Sequence, residues 1–337
     1  MIKYVQDKKI DYNRLEEILL ESSISNQFTN NGPTKKRLEE MLEEILNIEK
    51  DKRVICVANG TLALHGLLLF LHKKNITNWV TPSLTFPSSV VNTSNVSIED
   101  IDLKTLTINL EAVSKHSGAI ITSLFGTYPD NILEWESLNK TIILDVASSP
   151  MTTINGRNIC NFGNYSFGSL HHTKYFGFGE GGFIVAPKNE YHEIISTLGF
   201  GFKLKEVKRR HDPKSSNYKM SDIAAASIIQ HLERYDLNKH IEIQNEMIDF
   251  VNSIGKVEPL KFNDGVIYGN LPLLFNKTVG KDFFLSNGLE VQKYYYPLCN
   301  HRNSFSIYDR IINFPLHSGL YRSQIEKMKR LIEEFLK

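Results

Sequence analysis

Lys174 stands in the stretch Ser166-Phe-Gly-Ser169-Leu-His171-His-Thr-Lys174-Tyr-Phe-Gly-Phe-Gly-Glu-Gly-Gly182. Small hydroxyl residues precede it and four glycines follow within eight positions. The residues from Asn164 to Ser169 read as a strand, and a second strand (Phe183 to Ala186) leaves the glycines. A lysine held between two strands is a candidate for a buried amine. Burial disfavours the ammonium and lowers its pKa, leaving the free base that forms a Schiff base. The hydroxyls of Ser169 and Thr173 and the backbone amides around Gly179 to Gly182 suit a phosphate or a carboxylate. An amine beside an anion-binding loop suggests pyridoxal phosphate (PLP). The same composition also fits a surface loop with a solvated lysine.

Other residues could serve the same chemistry. Asn59-Gly60-Thr61 lies between a buried strand and a helix, where helix-start amides and a hydroxyl suit a phosphate. Thr61 would otherwise be a helix N-cap. The second glycine and the lysine of a Walker motif are missing. Asp145 follows the apolar run Thr141 to Leu144, which sets it at the carboxyl edge of a sheet. A carboxylate there can pair with a protonated pyridine nitrogen, or simply cap a turn. Phe86 follows a short strand and can stack on a planar ring or join the core. His171 and His172 are adjacent in extended chain, so their side chains point to opposite faces. One is expected to face the cofactor pocket and the other the packing, and a shared metal is disfavoured. No Gly-x-Ser-x-Gly elbow of a serine hydrolase occurs.

These residues need elements to position them. A helix from Tyr12 to Glu21 is followed by a polar stretch, with Thr34 as N-cap of an amphipathic helix over Arg37 to Leu46. Strands at Val54–Val57, Trp79–Thr81, Val96–Ile101, Ala119–Thr122 and Thr141–Leu144 then alternate with helices. The helices are expected at Leu62–Leu71, from Pro87 to Asn92, from Leu110 and at Asn131–Leu138. That alternation indicates an α/β fold with a mainly parallel sheet covered on both faces. Such a sheet binds its ligand at the carboxyl ends of its strands, where Asn59 to Thr61, Ser83 to Phe86 and Asp145 all fall. Helices at Ser221–Glu233 and Lys239–Val251 lead out of the large unit, and an amphipathic helix (Ser323 to Leu336) closes the chain. Residues 1–235 are expected to form the N-terminal segment and large domain, and 236–337 a smaller α+β domain.

Composition excludes other classes. The 337 residues, with 41% hydrophobic and 23% charged, are ordinary for a globular enzyme. A net charge of +1 gives no general attraction to nucleic acid or to a membrane surface. Three scattered cysteines (Cys56, Cys160, Cys299) match neither a disulfide framework nor a zinc spacing. The N-terminus lacks the apolar core of a signal peptide, and no apolar run reaches membrane-span length. A cytoplasmic protein is expected.

Together these segments resemble the DegT/DnrJ/EryC1/StrS family of PLP-dependent sugar aminotransferases, over most of the chain. Asn30-Asn-Gly-Pro33 with Leu38-Glu39 looks like the family's entry segment. Asn59-Gly-Thr-Leu-Ala-Leu64 is similar to its Ser-Gly-Thr-x-Ala-Leu turn, Thr85-Phe86 to its Thr-Phe, and Phe125-Gly126 to its Tyr-Gly. Asp145-Val-Ala147 resembles Asp-Ala-Ala, Ser169 to Lys174 resembles Ser-Phe-His-x-Thr-Lys, and Gly179 to Gly182 matches Gly-Glu-Gly-Gly. Asn217-Tyr-Lys-Met220 resembles Asn-x-Arg-Met, and Tyr296-Pro-Leu298 a Tyr-x-Pro-Leu-His element. Each piece is weak alone; their shared order makes them specific.

The resemblance implies an aspartate aminotransferase-type fold (fold type I). It implies that Lys174 binds the cofactor covalently and moves the proton, that Asp145 binds the pyridine nitrogen and that Phe86 stacks on the ring. Gly60, Thr61 and Ser169 would hold the phosphate, with Asn217 reaching it from the neighbouring subunit of a homodimer. The implied reaction moves an amino group from glutamate, which leaves as 2-oxoglutarate, to a nucleotide-linked keto sugar. A dTDP- or UDP-4-keto-6-deoxyhexose aminated at C4 is favoured, with C3 close behind, for surface polysaccharide. The run from Lys205 to Lys214 could contact the diphosphate or be a solvated charge run. Three departures bear on sugar recognition: Ser148 stands where the aminotransferases usually have Gln, Lys219 replaces Arg, and Cys299 replaces His. The rival readings are a sugar 3-dehydratase, whose branch replaces the lysine by histidine, and a PLP-bound regulator without turnover.

Overall fold

A computed structural model describes residues 1–91, 95–128, 132–200, 215–260 and 265–337. The chain enters through helices α1 (Tyr12–Ile18), α2 (Leu20–Ile24) and α3 (Pro33–Ile45). Asp11 caps α1 by accepting from the Arg14 N–H. Thr34 is not the cap of α3. Gly32 holds that place and Pro33 opens the helix, because proline's fixed φ suits the first turn and its missing N–H costs nothing there. The Thr34 N–H donates instead to the buried carboxylate of Asp222 at 2.9 Å.

The alternation follows: β1 (Lys52–Val57), α4 (Gly60–Lys73), β2 (Trp79–Pro82), β3 (Val96–Glu99), α5 (Leu110–Ser114), β4 (Gly118–Thr122), α6 (Ile132–Ser137) and β5 (Thr141–Asp145). Pro87 does not open an α-helix; a single 3-10 turn, Pro87–Ser89, stands there, and Asn92 lies outside the described residues. A short hairpin of β6 (Thr153–Ile154) and β7 (Arg157–Asn158) turns on Asn155-Gly156, both at positive φ. The Asn-Gly pair was its sequence signal. Strands β8 (Tyr165–Ser169) and β9 (Gly182–Pro187) flank the Lys174 turn. Helices α7 (Tyr191–Leu198) and α8 (Asp222–Arg234) complete this half, and α9 (Leu237–Ile254) leads into the next.

Seven strands form one sheet in the order β1-β9-β8-β5-β4-β2-β3. Every described pairing in it is parallel except the two made by β9. The period of two explains why both faces are covered. Val54, Cys56, Ile142, Leu144 and Val185 pack with α3 and α8, while Ile55, Val57, Ile143 and Ile184 pack with α4 and α7. β1 is an edge strand, and α3 covers its exposed backbone. Glu43 and Glu39, one helical turn apart, accept the N–H groups of Val54 at 3.0 Å and Cys56 at 2.7 Å. Glu39 is itself paired with buried Lys35 at 2.5 Å.

The rest of the chain builds an antiparallel sheet of β10 (Glu258–Pro259), β11 (Leu271–Leu274) and β12 (Ile311–Phe314). Helices α10 (Asp282–Ser286), α11 (Arg302–Arg310) and α12 (Arg322–Phe335) accompany it. Its core joins Leu271, Leu273, Ile312 and Phe314 to Met247 and Val251 of α9 and Met328 and Ile332 of α12. Ile2 packs into this second core and pairs with Leu289, so the chain's first residues cross to its last third. Among the described residues, no helix is long and apolar enough to cross a membrane.

Candidate active site

The carboxyl ends of β1, β2, β4, β5 and β8 open on one cavity of about 430 Å³. Gly60, Thr61, Phe86, Asp145, Ser148, Ser169 and Lys174 all line it. Asn217 does not; it is exposed and bridges Gly199. The charged run from Lys205 to Lys214 lies outside the described residues.

At the end of β1 the Asn59 side chain, not Thr61, caps α4, accepting from the Leu62 N–H at 2.9 Å. The Thr61 hydroxyl is thereby left for the cavity. The first-turn amides of a 14-residue helix point the same way, a site that favours an anion. Gly60 and Gly182 let this turn lie close to the strand ends. A Cβ on Gly182 would collide with the Asn59 and Gly60 backbone, and one on Gly60 would press on Ser169 at 3.2 Å.

Asp145 ends β5 with 4% of its surface exposed. The Ala147 N–H donates to its Oδ1 at 3.0 Å, which fixes the carboxyl in the cavity wall. Burial pushes its pKa up to about 6, opposed by that hydrogen bond and by the charge of Lys174. Lys174 is shifted the other way: burial lowers its pKa, opposed by the charges of Asp145 and Tyr294. Both groups are thus drawn toward the uncharged form, and the lysine gains the free-base character that a nucleophilic amine needs.

The Lys174 turn has its own scaffold. Leu170 N–H bonds Gly181 O, His172 N–H bonds Gly179 O, and Lys174 N–H bonds His171 O at 2.9 Å. The adjacent histidines divide as expected. His171 lines the cavity, its Nδ1 2.8 Å from the Thr173 hydroxyl and its Nε2 3.5 Å from Glu180, whereas His172 packs edge-on to Phe178.

Phe86 is 47% exposed and meets Tyr295 edge-on with ring centroids 5.5 Å apart. A ring entering the cavity would find an open aromatic face there. The Ser148 hydroxyl, in the place of the usual amide, donates to Ser123 O at 2.6 Å. It is spent on tethering the β4 and β5 ends together. Lys219, at the Arg position, reaches the Asn30 carboxamide oxygen across the chain.

Sequence reasoning missed Tyr4, Asn270, Tyr294 and Tyr295, which complete the cavity. They come from the chain's two ends, and no spacing rule relates positions 4, 270 and 294. The run Tyr294-Tyr-Tyr296 was the available signal. Among the described residues Asn270 Oδ1 is buried without a hydrogen-bond partner. A pyridine cofactor fits this set. An amine and a carboxyl face one space, a helix start and two hydroxyls offer a phosphate cradle, and an aromatic face lies open.

Comparison with known proteins agrees with the geometry. The model of the DegT/DnrJ/EryC1/StrS aminotransferase family matches residues 9–254. The chain is 27% identical to a dTDP-4-amino-4,6-dideoxy-D-glucose transaminase of Shigella dysenteriae, over 91% of this chain and 92% of the other. It is 29% identical to a GDP-perosamine synthase of Escherichia coli O157:H7, over 60% of this chain and 59% of that protein. A DegT DnrJ EryC1 StrS aminotransferase from Brucella abortus superposes with a TM-score of 0.82 at 21% identity, covering 96% of this chain and 95% of that one. The expected fold type I architecture is therefore the one present. The chain belongs to the DegT/DnrJ/EryC1/StrS aminotransferase family.

Proposed function

We propose that this enzyme transfers the amino group of glutamate to the carbonyl carbon of a nucleotide-linked keto sugar. The favoured acceptor is a dTDP- or UDP-4-keto-6-deoxyhexose aminated at C4, with C3 the second choice, in the cytoplasmic synthesis of surface polysaccharide. The observation that carries the transaminase chemistry is the meeting of Lys174 and Asp145 in one cavity beside the Gly60–Thr61 helix start. The sugar class is supported by the names of the two curated relatives, one acting on a dTDP-linked and one on a GDP-linked sugar.

Pyridoxal phosphate, when bound, supplies an aldehyde that carries the amino group and a ring that stores the electron pair released with a proton. The amides of Gly60 and Thr61 and the hydroxyls of Thr61 and Ser169 would hold its phosphate, and Phe86 its ring face. Asp145 would keep a proton on the ring nitrogen through its carboxylate. Lys174 Nζ, which burial draws toward the free base, takes the proton from the substrate carbon and returns it on the other side of the exchange. Ser148 lines the same wall, tied to Ser123 O. A lysine at 174 is the feature the dehydratase reading lacks.

We also read the chain as two domains, 1–235 and 236–337, paired as a homodimer in which Asn217 reaches the partner's phosphate site. Exposure of Asn217 away from its own cavity supports that reading. The test is mass spectrometry of products after incubation with glutamate and a panel of keto-sugar nucleotides. One panel member should gain an amine. A yellow protein that aminates none of them would instead be a PLP-bound regulator.

A further inference from the structure

The first eleven residues form a strap from the segment after α10 to helix α8. At one end Ile2 pairs with Leu289, and the Tyr4 N–H donates to Glu290 at 2.8 Å. At the other, Asp11 exchanges two backbone hydrogen bonds with the Gln230 side chain of α8. Between these anchors Lys8 turns inward to the turn that carries Lys174. Its ammonium donates to His172 O at 2.8 Å, to Lys174 O at 2.7 Å and to Gly177 O. An ammonium has three N–H donors, so one turn of chain takes all of them.

Among the described residues no carboxylate pairs with Lys8. The titratable side chains that feel its charge are His172 in the turn, His231 on α8 and His317 after β12. Burial depresses all three first of all, with Lys8 adding to it, so each is neutral near pH 7. Burial lowers the Lys8 pKa too, to about 7, so it is the cation of that group below that pH, and only carbonyl dipoles face it. Burying a cation without a counter-charge opposes folding, and a methionine of similar length would fill the space without that cost. What the cation supplies is convergence. A Cβ on Gly177 would strike the Leu170 and His171 carbonyls, so the turn is tightly wound; inside it the Gly177 N–H bonds Lys174 O at 3.1 Å, and Lys8 adds a donor to that carbonyl and to those of His172 and Gly177.

We propose that Lys8 is a positioning residue, whose ammonium gathers the carbonyls of residues 172, 174 and 177 and so fixes the turn from which Lys174 enters the cavity. The proposal rests on Lys174 being the cofactor lysine. It makes the strap a mechanical link from the segment after α10 to the catalytic amine.

The test compares full-length wild type, Lys8→Met and Lys8→Arg by hydrogen–deuterium exchange, and by the pH profile of reductive methylation at Lys174, both without cofactor. Lys8→Met should exchange about tenfold faster in residues 170–180 while β8 and β9 stay protected. The midpoint of Lys174 labelling should move by about half a pH unit or more. Lys8→Arg, which keeps charge and donors, should recover most of both. Exchange within about twofold of wild type and an unmoved midpoint would overturn the proposal, and so would loosening spread equally over turn and strands. If Lys8→Met fails to fold, Lys8→Gln is read against the same two outcomes. Borohydride reduction of the loaded enzyme with peptide mapping reports separately whether Lys174 carries the cofactor.

Discussion

Asp145 ends β5, Lys174 follows the neighbouring parallel strand β8, and the two side chains face each other's field across one cavity. Burial raises the acid's pKa to about 6 and lowers that of the amine, while each one's charge partly restores the other. Burial thus draws both groups toward the uncharged form, and for the amine that is the free base that general base chemistry requires.

Lys174→Ala should abolish the visible absorption of lysine-bound cofactor and lower amine transfer by about 10³-fold or more. Absorption spectroscopy with an amino-transfer assay checks both. A variant that keeps its colour would place the reactive amine elsewhere.

Asp145→Asn carries a signed pH prediction. The folded pKa lies above the ordinary 3.8, so the folded state holds this proton more tightly. The resulting stability is fully present below about pH 3.8 and lost as pH rises through about 6. Asparagine cannot ionise. Cofactor-free Asp145→Asn should therefore gain on wild type by about 2 kcal/mol between pH 4 and 7. Urea unfolding across that range measures it, and a constant difference would refute it. The loaded variant should nonetheless lose about 10²–10⁴-fold in turnover.

Asn59 and Thr61 should separate stability from cofactor binding. Asn59 caps α4, so Asn59→Ala should cost about 1 kcal/mol of stability. Thr61 makes no cap, so Thr61→Ala should hold stability within about 0.5 kcal/mol while weakening PLP binding about tenfold. Equal behaviour of the two in denaturation and cofactor titration would contradict the assignment.

Asp222 joins the starts of two helices. Its buried carboxylate accepts from the Thr34 N–H and, at 2.6 Å, from the Ser22 hydroxyl. Asp222→Ala strands both donors and should cost about 2–4 kcal/mol in chemical denaturation. Asp222→Asn, of the same shape, should cost less.

Much of the large sheet was legible because each buried strand is a short apolar run. Gly118–Thr122 and Thr141–Asp145 could hardly be anything else once helices separated them. Errors came where a local signal met a competing one. Thr34 looks like a cap, yet the Gly32-Pro33 pair before it starts the helix and turns Thr34 toward Asp222. At Thr61 two readings stood open, phosphate contact or cap, and Asn59 takes the free amide as cap while Thr61 lines the cavity. Pro87 can open a helix, but the chain there gives one 3-10 turn.

By itself, then, the sequence determined the reactive types and their order along the chain. A lysine between two strands, an acid after an apolar run and a glycine before a helix are local patterns, and local patterns survive in one dimension. Tertiary structure decided which of them share a space. It brought Tyr4, Asn270 and Tyr294 to the cavity and Lys8 to the carbonyls behind Lys174, across separations of up to 290 positions. Such contacts depend on how two cores pack and not on any spacing between neighbours. The electrostatic state of Asp145 and Lys174 belongs to the same category, because burial sets it and no run of letters records the depth of a side chain.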